Sequence, residues 1–144
     1  MPGFHHWPLD AAFVQIAEAR ITRIICLEEA SKMLDRSPAY YGALERGETP
    51  APVTWHPVVD YGVPEDLEAY LGLVREIADA LRAGERVLVH CAGGCGRSGT
   101  FASLVLVALG ADPESAEATY RGAAGCGPES RAQRALVRRG LSVH

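Results

Sequence analysis

Between His90 and Gly99 the chain reads HCAGGCGRSG, with glycine at positions 93, 94, 96 and 99. The five residues Arg86–His90, RVLVH, lead into it, and an apolar run leads out of it to Leu109 and Gly110. A short β-branched, apolar segment of this kind predicts a buried strand. The run after the glycines predicts a helix over Ser98–Leu109, which Gly110 stops. A strand that passes through a glycine-rich turn directly into a helix belongs to few architectures. It calls for a sheet with its crossover helices packed on the faces, an α/β arrangement.

The rest of the sequence agrees with that constraint. Helices are predicted over Asp10–Arg20 with Asp10 as cap, from Ser37-Pro38 to near Gly47, over Glu65–Ala83, from Asp112-Pro113 to about Arg121, and over Pro128–Arg139. In the long central helix Leu67, Tyr70, Leu71, Val74, Ile77, Ala78 and Leu81 trace one face. Strands are predicted over Ile21–Leu27 and Val53–Val59, the second with a ragged end at Pro57. No repeat, linker or low-complexity tract divides the chain. The expectation is one domain over residues 1–144, with a central, mostly parallel sheet flanked by helices.

Composition narrows the function classes. A net charge of −4 argues against a partner recognised by its phosphate backbone, so no nucleic acid is expected. No segment reaches the roughly 18 apolar residues that a membrane span needs, so no membrane partner is expected. Residues Met1–Pro8 lack the basic flank and apolar core of a signal peptide. The four cysteines, Cys26, Cys91, Cys95 and Cys126, are too sparse for a disulfide scaffold. Without a secretory signal they are expected to be thiols, and the protein cytoplasmic. No cysteine or histidine pair has zinc-ligand spacing, so neither a metal nor any other cofactor is expected.

The loop itself carries chemistry. Backbone N–H groups of Ala92, Gly93, Gly94, Cys95, Gly96 and Arg97 are expected to converge at the start of the predicted helix, where the helix dipole would add positive potential. That environment binds a phosphate, and the same field favours a thiolate on Cys91. The planar fork of Arg97 suits two phosphate oxygens. A thiolate at one end of the loop and a guanidinium at the other describe nucleophilic attack on phosphorus. Three other readings use the same residues. Gly94-x-Gly96-x-x-Gly99 matches a dinucleotide fingerprint, but no second strand ends in the acidic residue that motif needs. A Walker-type loop fails because Arg97, not lysine, follows Gly96. A glycine turn beside an inert buried cysteine leaves Arg97 and Ser98 unexplained.

His90-Cys91-x5-Arg97-Ser98 resembles the signature of the cysteine-dependent protein tyrosine phosphatase superfamily. The likeness runs from about Ile21 to Val137 and is greatest to the compact dual-specificity phosphatases. It implies a phosphatase fold, a phosphocysteine intermediate on Cys91, phosphoryl binding by Arg97 and the loop amides, and no metal. It implies an upstream aspartate as general acid. Asp60 in DYGVP lies after a predicted strand and 31 residues before Cys91, with Pro64 where the family often has proline. The alternative for Asp60 is a cap on the turn before the Glu65 helix, and Glu65 and Asp66 are weaker acid candidates. The resemblance gives Ser98 a hydrogen bond to the thiolate, His90 a part in ordering the loop and tuning the thiol, and Gln133 the attacking water.

Cys95 departs from the usual pattern. It is either a small side chain behind the loop or a redox partner for Cys91. Cys26 is a second candidate partner and otherwise plain core. No loop residue from Ala92 to Gly96 is cationic, which disfavours multiply charged lipid headgroups. The expected partner is a phosphoprotein or phosphopeptide. Tyr61, Tyr40 and Tyr41 are candidates for a rim that stacks on a phosphotyrosine ring, although Tyr40 and Tyr41 equally suit packing on their own helix. A shallow site would also admit phosphoserine and phosphothreonine. Two other functions compete: a non-catalytic phosphate-binding relative, and another thiol enzyme with the same loop, such as an arsenate reductase or a rhodanese-like protein. The first would be expected to lack Cys91, Arg97 or Asp60. The arsenate reductase carries its loop early in the chain, and the rhodanese-like protein lacks the upstream aspartate.

Overall fold

The apolar run at Ile24–Leu27 is buried on both sides, as a strand must be when helices cover both faces of its sheet. In the computed structural model, which describes residues 9–92 and 95–142, this run forms β1 (Arg23–Cys26). It sits in the middle of a three-stranded sheet, with β2 (Val53–Trp55) on one side and β3 (Val87–His90) on the other. Both pairings are parallel. Cys26 lies opposite Trp55 in one register and opposite His90 in the other.

Side chains alternate across β1 and feed two cores. Ile24 and Cys26 join Ala12 and Ile16 of α1 (Leu9–Glu18), Met33 of α2 (Ala30–Arg36) and Tyr40 of α3 (Pro38–Arg46). Ile25 and Leu27 face the other way. They meet Tyr70, Leu71, Val74 and Ile77 of α4 (Leu67–Arg82), Phe101 and Leu104 of α5 (Gly96–Ala108), and Leu136 of α7 (Arg131–Arg139). Between α5 and α7 runs α6 (Pro113–Ala124), which packs chiefly on α5. The α/β class and the parallel, helix-flanked sheet match the expectation.

Local chemistry sets most boundaries. Asp66 caps α4, accepting a hydrogen bond from the Ala69 amide at 3.0 Å, so the helix starts two residues later than predicted. Asp112 caps α6 in the same way, with Pro113 in the first turn. That helix runs through Gly122 and stops at Gly125, whose φ of 79° suits glycine. Four expectations are corrected. Asp10 lies inside the first turn of α1 and is not its cap. Ser37, expected as the side-chain cap of α3 ahead of Pro38, makes no cap bond. The final helix starts at Arg131, because Ser130 and Gln133 form a capping box there. The short helix α2 has no counterpart among the predicted elements. It has no side-chain cap and buries only Met33, so nothing in its sequence marks it.

Leu104, fully buried between the sheet and the helices, tests the second core. Leu104→Ala is expected to cost about 2–5 kcal/mol, read as a lower urea midpoint with an unchanged slope.

Candidate active site

Parallel pairing delivers the site residues to one edge. β3 ends at His90, so Cys91 emerges at the carboxyl end of the sheet, where α/β folds place their ligands. Backbone pairing with the β1 exit continues beyond β2: the His56 amide donates to Cys26 and the Val58 amide to Leu27, at 2.9 and 3.0 Å. Two residues later the chain presents Asp60 over the same edge. Pro57 ends the regular strand, so the predicted Val53–Val59 strand is observed only to Trp55.

α5 begins at Gly96, so Gly96, Arg97 and Ser98 make its first turn, and its amino end faces the loop after Cys91. Cys91 is almost completely buried, and the Ser98 hydroxyl donates to its Sγ at 3.1 Å. Arg97 is buried as well. Its Nη1 donates to the Val58 carbonyl at 3.0 Å, and its Nη2 lies 3.5 Å from Asp60 Oδ1. Its buried Nε–H has no partner among the described residues, which leaves a charged donor for an anion at the loop. Asp60 is 51% exposed, so its contact with Arg97 orients the carboxylate and adds little stability. Of the loop residues assigned to phosphate, Ala92, Cys95, Gly96 and Arg97 line the turn, and Gly93 and Gly94 lie outside the described residues.

Behind the loop His90 is fully buried, and its Nε2 is hydrogen-bonded to the Tyr40 hydroxyl at 2.7 Å. Burial pushes the His90 pKa down to about 4 and raises that of Tyr40, so both are neutral at physiological pH. Tyr40 is therefore a core residue that holds His90, not a rim residue. Tyr41 packs edge-on against Trp55. Tyr61 alone of the three stays open, at 61% exposure beside Asp60. Cys26, opposite His90 in the sheet, has its thiol pushed up to about 12 by burial, as plain core should.

Gln133 is brought to the loop, though with a different geometry from that of a free water ligand. Its Oε1 accepts from the Glu129 and Ser130 amides at 2.9 and 3.2 Å, and its Nε2 donates to the Gly62 carbonyl at 3.1 Å. A Cβ on Gly96 would stand 2.9 Å from Gln133 Oε1, so the two residues are in close packing.

The expectation that all four cysteines are thiols is overturned. Cys95 is disulfide-bonded to Cys126, in the segment between α6 and α7, while Cys26 and Cys91 are free. Cys95 is thus tied away from Cys91 and is not its redox partner here. The bond closes over a close approach, since a Cβ on Gly99 would meet Gly127 Cα at 2.9 Å. A signal was present: both cysteines sit between glycines, in Gly94-Cys95-Gly96 and Gly125-Cys126-Gly127. The pairing also removes the argument from reduced cysteines for a cytoplasmic protein. Sequence reasoning missed Glu28 too. It is buried, and desolvation raises its carboxyl pKa against the opposing pull of Arg97.

A model of the phosphatase family described as "PTP-SAK: Swiss Army Knife protein, DSP-PTPase phosphatase domain" matches residues 9–143. This chain belongs to that family. The family domain is similar to the rat receptor-type tyrosine-protein phosphatase V, with 28% identity over 106 residues. That match covers 70% of the chain and 6% of the rat protein's length. Among solved structures the DSP-PTPase domain is similar to Tk-PTP in its active form, with 26% identity and a TM-score of 0.72 over 96% of this chain and 86% of that one. It also has the fold of the kinase-associated phosphatase KAP, at 21% identity and a TM-score of 0.76, over 92% of this chain and 76% of that one. Among the described residues no helix is long and apolar enough to cross a membrane.

Two measurements test this architecture. Reducing Cys95–Cys126, which spans 31 residues, is expected to remove up to about 3–4 kcal/mol and lower the Tm. A Cys95→Ser/Cys126→Ser double variant should melt at one temperature with or without reductant. The second concerns His90. Its pKa falls from 6.5 in the unfolded chain to about 4 in the folded one, so below pH 6.5 the unfolded chain binds the extra proton. Stability from His90 is complete above pH 6.5 and is lost as pH falls toward 4, by about 3 kcal/mol. The pH slope of urea unfolding should be shallower in His90→Gln, a comparison that separates His90 from Glu28, whose shift runs the other way.

Proposed function

We propose that this phosphatase domain hydrolyses phosphotyrosine monoesters of proteins or peptides through a phosphocysteine on Cys91. The observation that carries the reading is the juxtaposition at the amino end of α5: Cys91 Sγ on the Ser98 hydroxyl, and Arg97 between that loop and Asp60. Family membership supports phosphatase chemistry, and the geometry supports the roles.

In the first step the Cys91 thiolate attacks phosphorus. The phosphorus–oxygen bond breaks as the sulfur–phosphorus bond forms, and Asp60 gives its proton to the departing oxygen. Arg97 and the loop amides hold the three equatorial oxygens while charge shifts between them. In the second step Asp60 takes a proton from water as the water oxygen attacks phosphorus. The sulfur–phosphorus bond breaks, and the Ser98 hydroxyl stabilises the thiolate that leaves. Gln133 already uses both ends of its amide, so the reading gives the water to Asp60 alone. Neutral His90 supports the loop from behind and takes no proton. The exposed ring of Tyr61, next to Asp60, supports an aryl substrate.

The test is phosphate release from an aryl phosphate between pH 4 and 9, with EDTA present. Wild type should turn over with a bell-shaped profile, its acidic limb set by formation of the nucleophile and its basic limb by loss of the acid's proton. Cys91→Ser is expected to be inactive. Asp60→Asn should lose about 10²–10⁴-fold and its basic limb. Reduced wild type that binds vanadate without turnover would make the loop a binding site only.

A further inference from the structure

The acid turn is a strained piece of backbone. Tyr61 follows Asp60 with φ at 59°, left-handed geometry that a bulky side chain seldom takes. The Gly62 amide closes back on the Val59 carbonyl at 2.8 Å, and a Cβ on Gly62 would approach that same oxygen to 2.9 Å. The Gly62 carbonyl, on the far side of the turn, accepts from Gln133 Nε2 across 71 residues of sequence. Gln133 is completely buried and belongs to the cap of α7, and its side chain packs against Gly96 of the phosphate loop. One rigid side chain thus touches the helix cap, the phosphate loop and the turn that carries Asp60.

We infer that Gln133 is a positioning residue for the general acid: through the Gly62 carbonyl it holds the Asp60 turn in register with the phosphate loop. This rests on the proposed roles of Cys91 and Asp60, and it gives Gln133 a part other than holding water. The two bonding ends of the amide do separate jobs. The acceptor end caps α7, and the donor end holds the acid turn. A glutamate keeps the first and loses the second, because Ser-x-x-Glu is itself a capping box while a carboxylate cannot donate to a carbonyl.

The experiment compares kcat/KM for phenyl phosphate with that for 4-nitrophenyl phosphate, which reports transfer to Cys91. Phenoxide is the poorer leaving group and needs the proton more. Asp60→Asn fixes the scale by losing more on phenyl phosphate. Gln133→Glu is expected to lose about tenfold more on phenyl phosphate than on 4-nitrophenyl phosphate, and to flatten the basic limb of the pH profile. Gln133→Met, of similar length and uncharged, should do the same, which excludes repulsion of the substrate by a new carboxylate. Ser130→Ala, which weakens the cap and spares the Gly62 bond, should lower the Tm and leave the ratio between the two esters unchanged. If the Gln133 variants keep the wild-type ratio, or Ser130→Ala shifts it equally, the assignment is overturned while the catalytic roles stand. If wild type does not turn over, or Asp60→Asn shows no leaving-group bias, the underlying reading fails and the assignment with it.

Discussion

Parallel pairing of β1 with both β2 and β3 sends three chain exits to the same edge of the sheet. From the β3 exit come His90 and Cys91, and from the β2 exit, guided by the amide bonds of His56 and Val58, comes Asp60. The β1 exit contributes Glu28, buried near Arg97. A shift of one residue in either ladder would turn Ile24 and Ile25 to the wrong faces and move the site residues apart. The two apolar cores on either side of β1 therefore fix the placement of Cys91, Arg97 and Asp60 as well as the stability.

Charge is concentrated in front of this scaffold and removed from behind it. His90, Tyr40 and Cys26 are buried and held uncharged. The ionic partners, Arg97 and Asp60, meet at the rim where α5 presents its positive end. Cys95–Cys126 ties the segment between α6 and α7 to the same loop, and the Gln133–Gly62 bond ties the turn that follows Asp60 to the cap of α7.

Much of this was legible in the sequence because it depends on local patterns. The strand–loop–helix at Arg86–Leu109 and the seven-residue apolar face of α4 each lie within one segment, whereas Asp60, 31 residues before Cys91, was singled out by the family resemblance. What escaped is long-range or lacks a local mark. Tyr40 reaches His90 across 50 residues, and a tyrosine pair on a helix gives no sign of which ring turns inward. Gln133 reaches Gly62 across 71, so its place beside the loop was foreseen and its bonding was not. Four cysteines in 144 residues carry no mark of pairing in their number, and the disulfide joins Cys95 and Cys126 across 31 residues. In α2 a short helix forms because tertiary packing of Met33 overrides weak local signals.

The central claim is that phosphorus passes through Cys91. Mixing Asp60→Asn with an aryl phosphate, quenching in acid within the first turnovers and mapping the peptides by mass spectrometry tests it directly. Without the base, hydrolysis of the intermediate slows, and one phosphoryl group is expected on the peptide that contains Cys91. Phosphorylation of a different residue, or continued turnover with Cys91 unmodified and with Cys91→Ser equally active, would contradict the account.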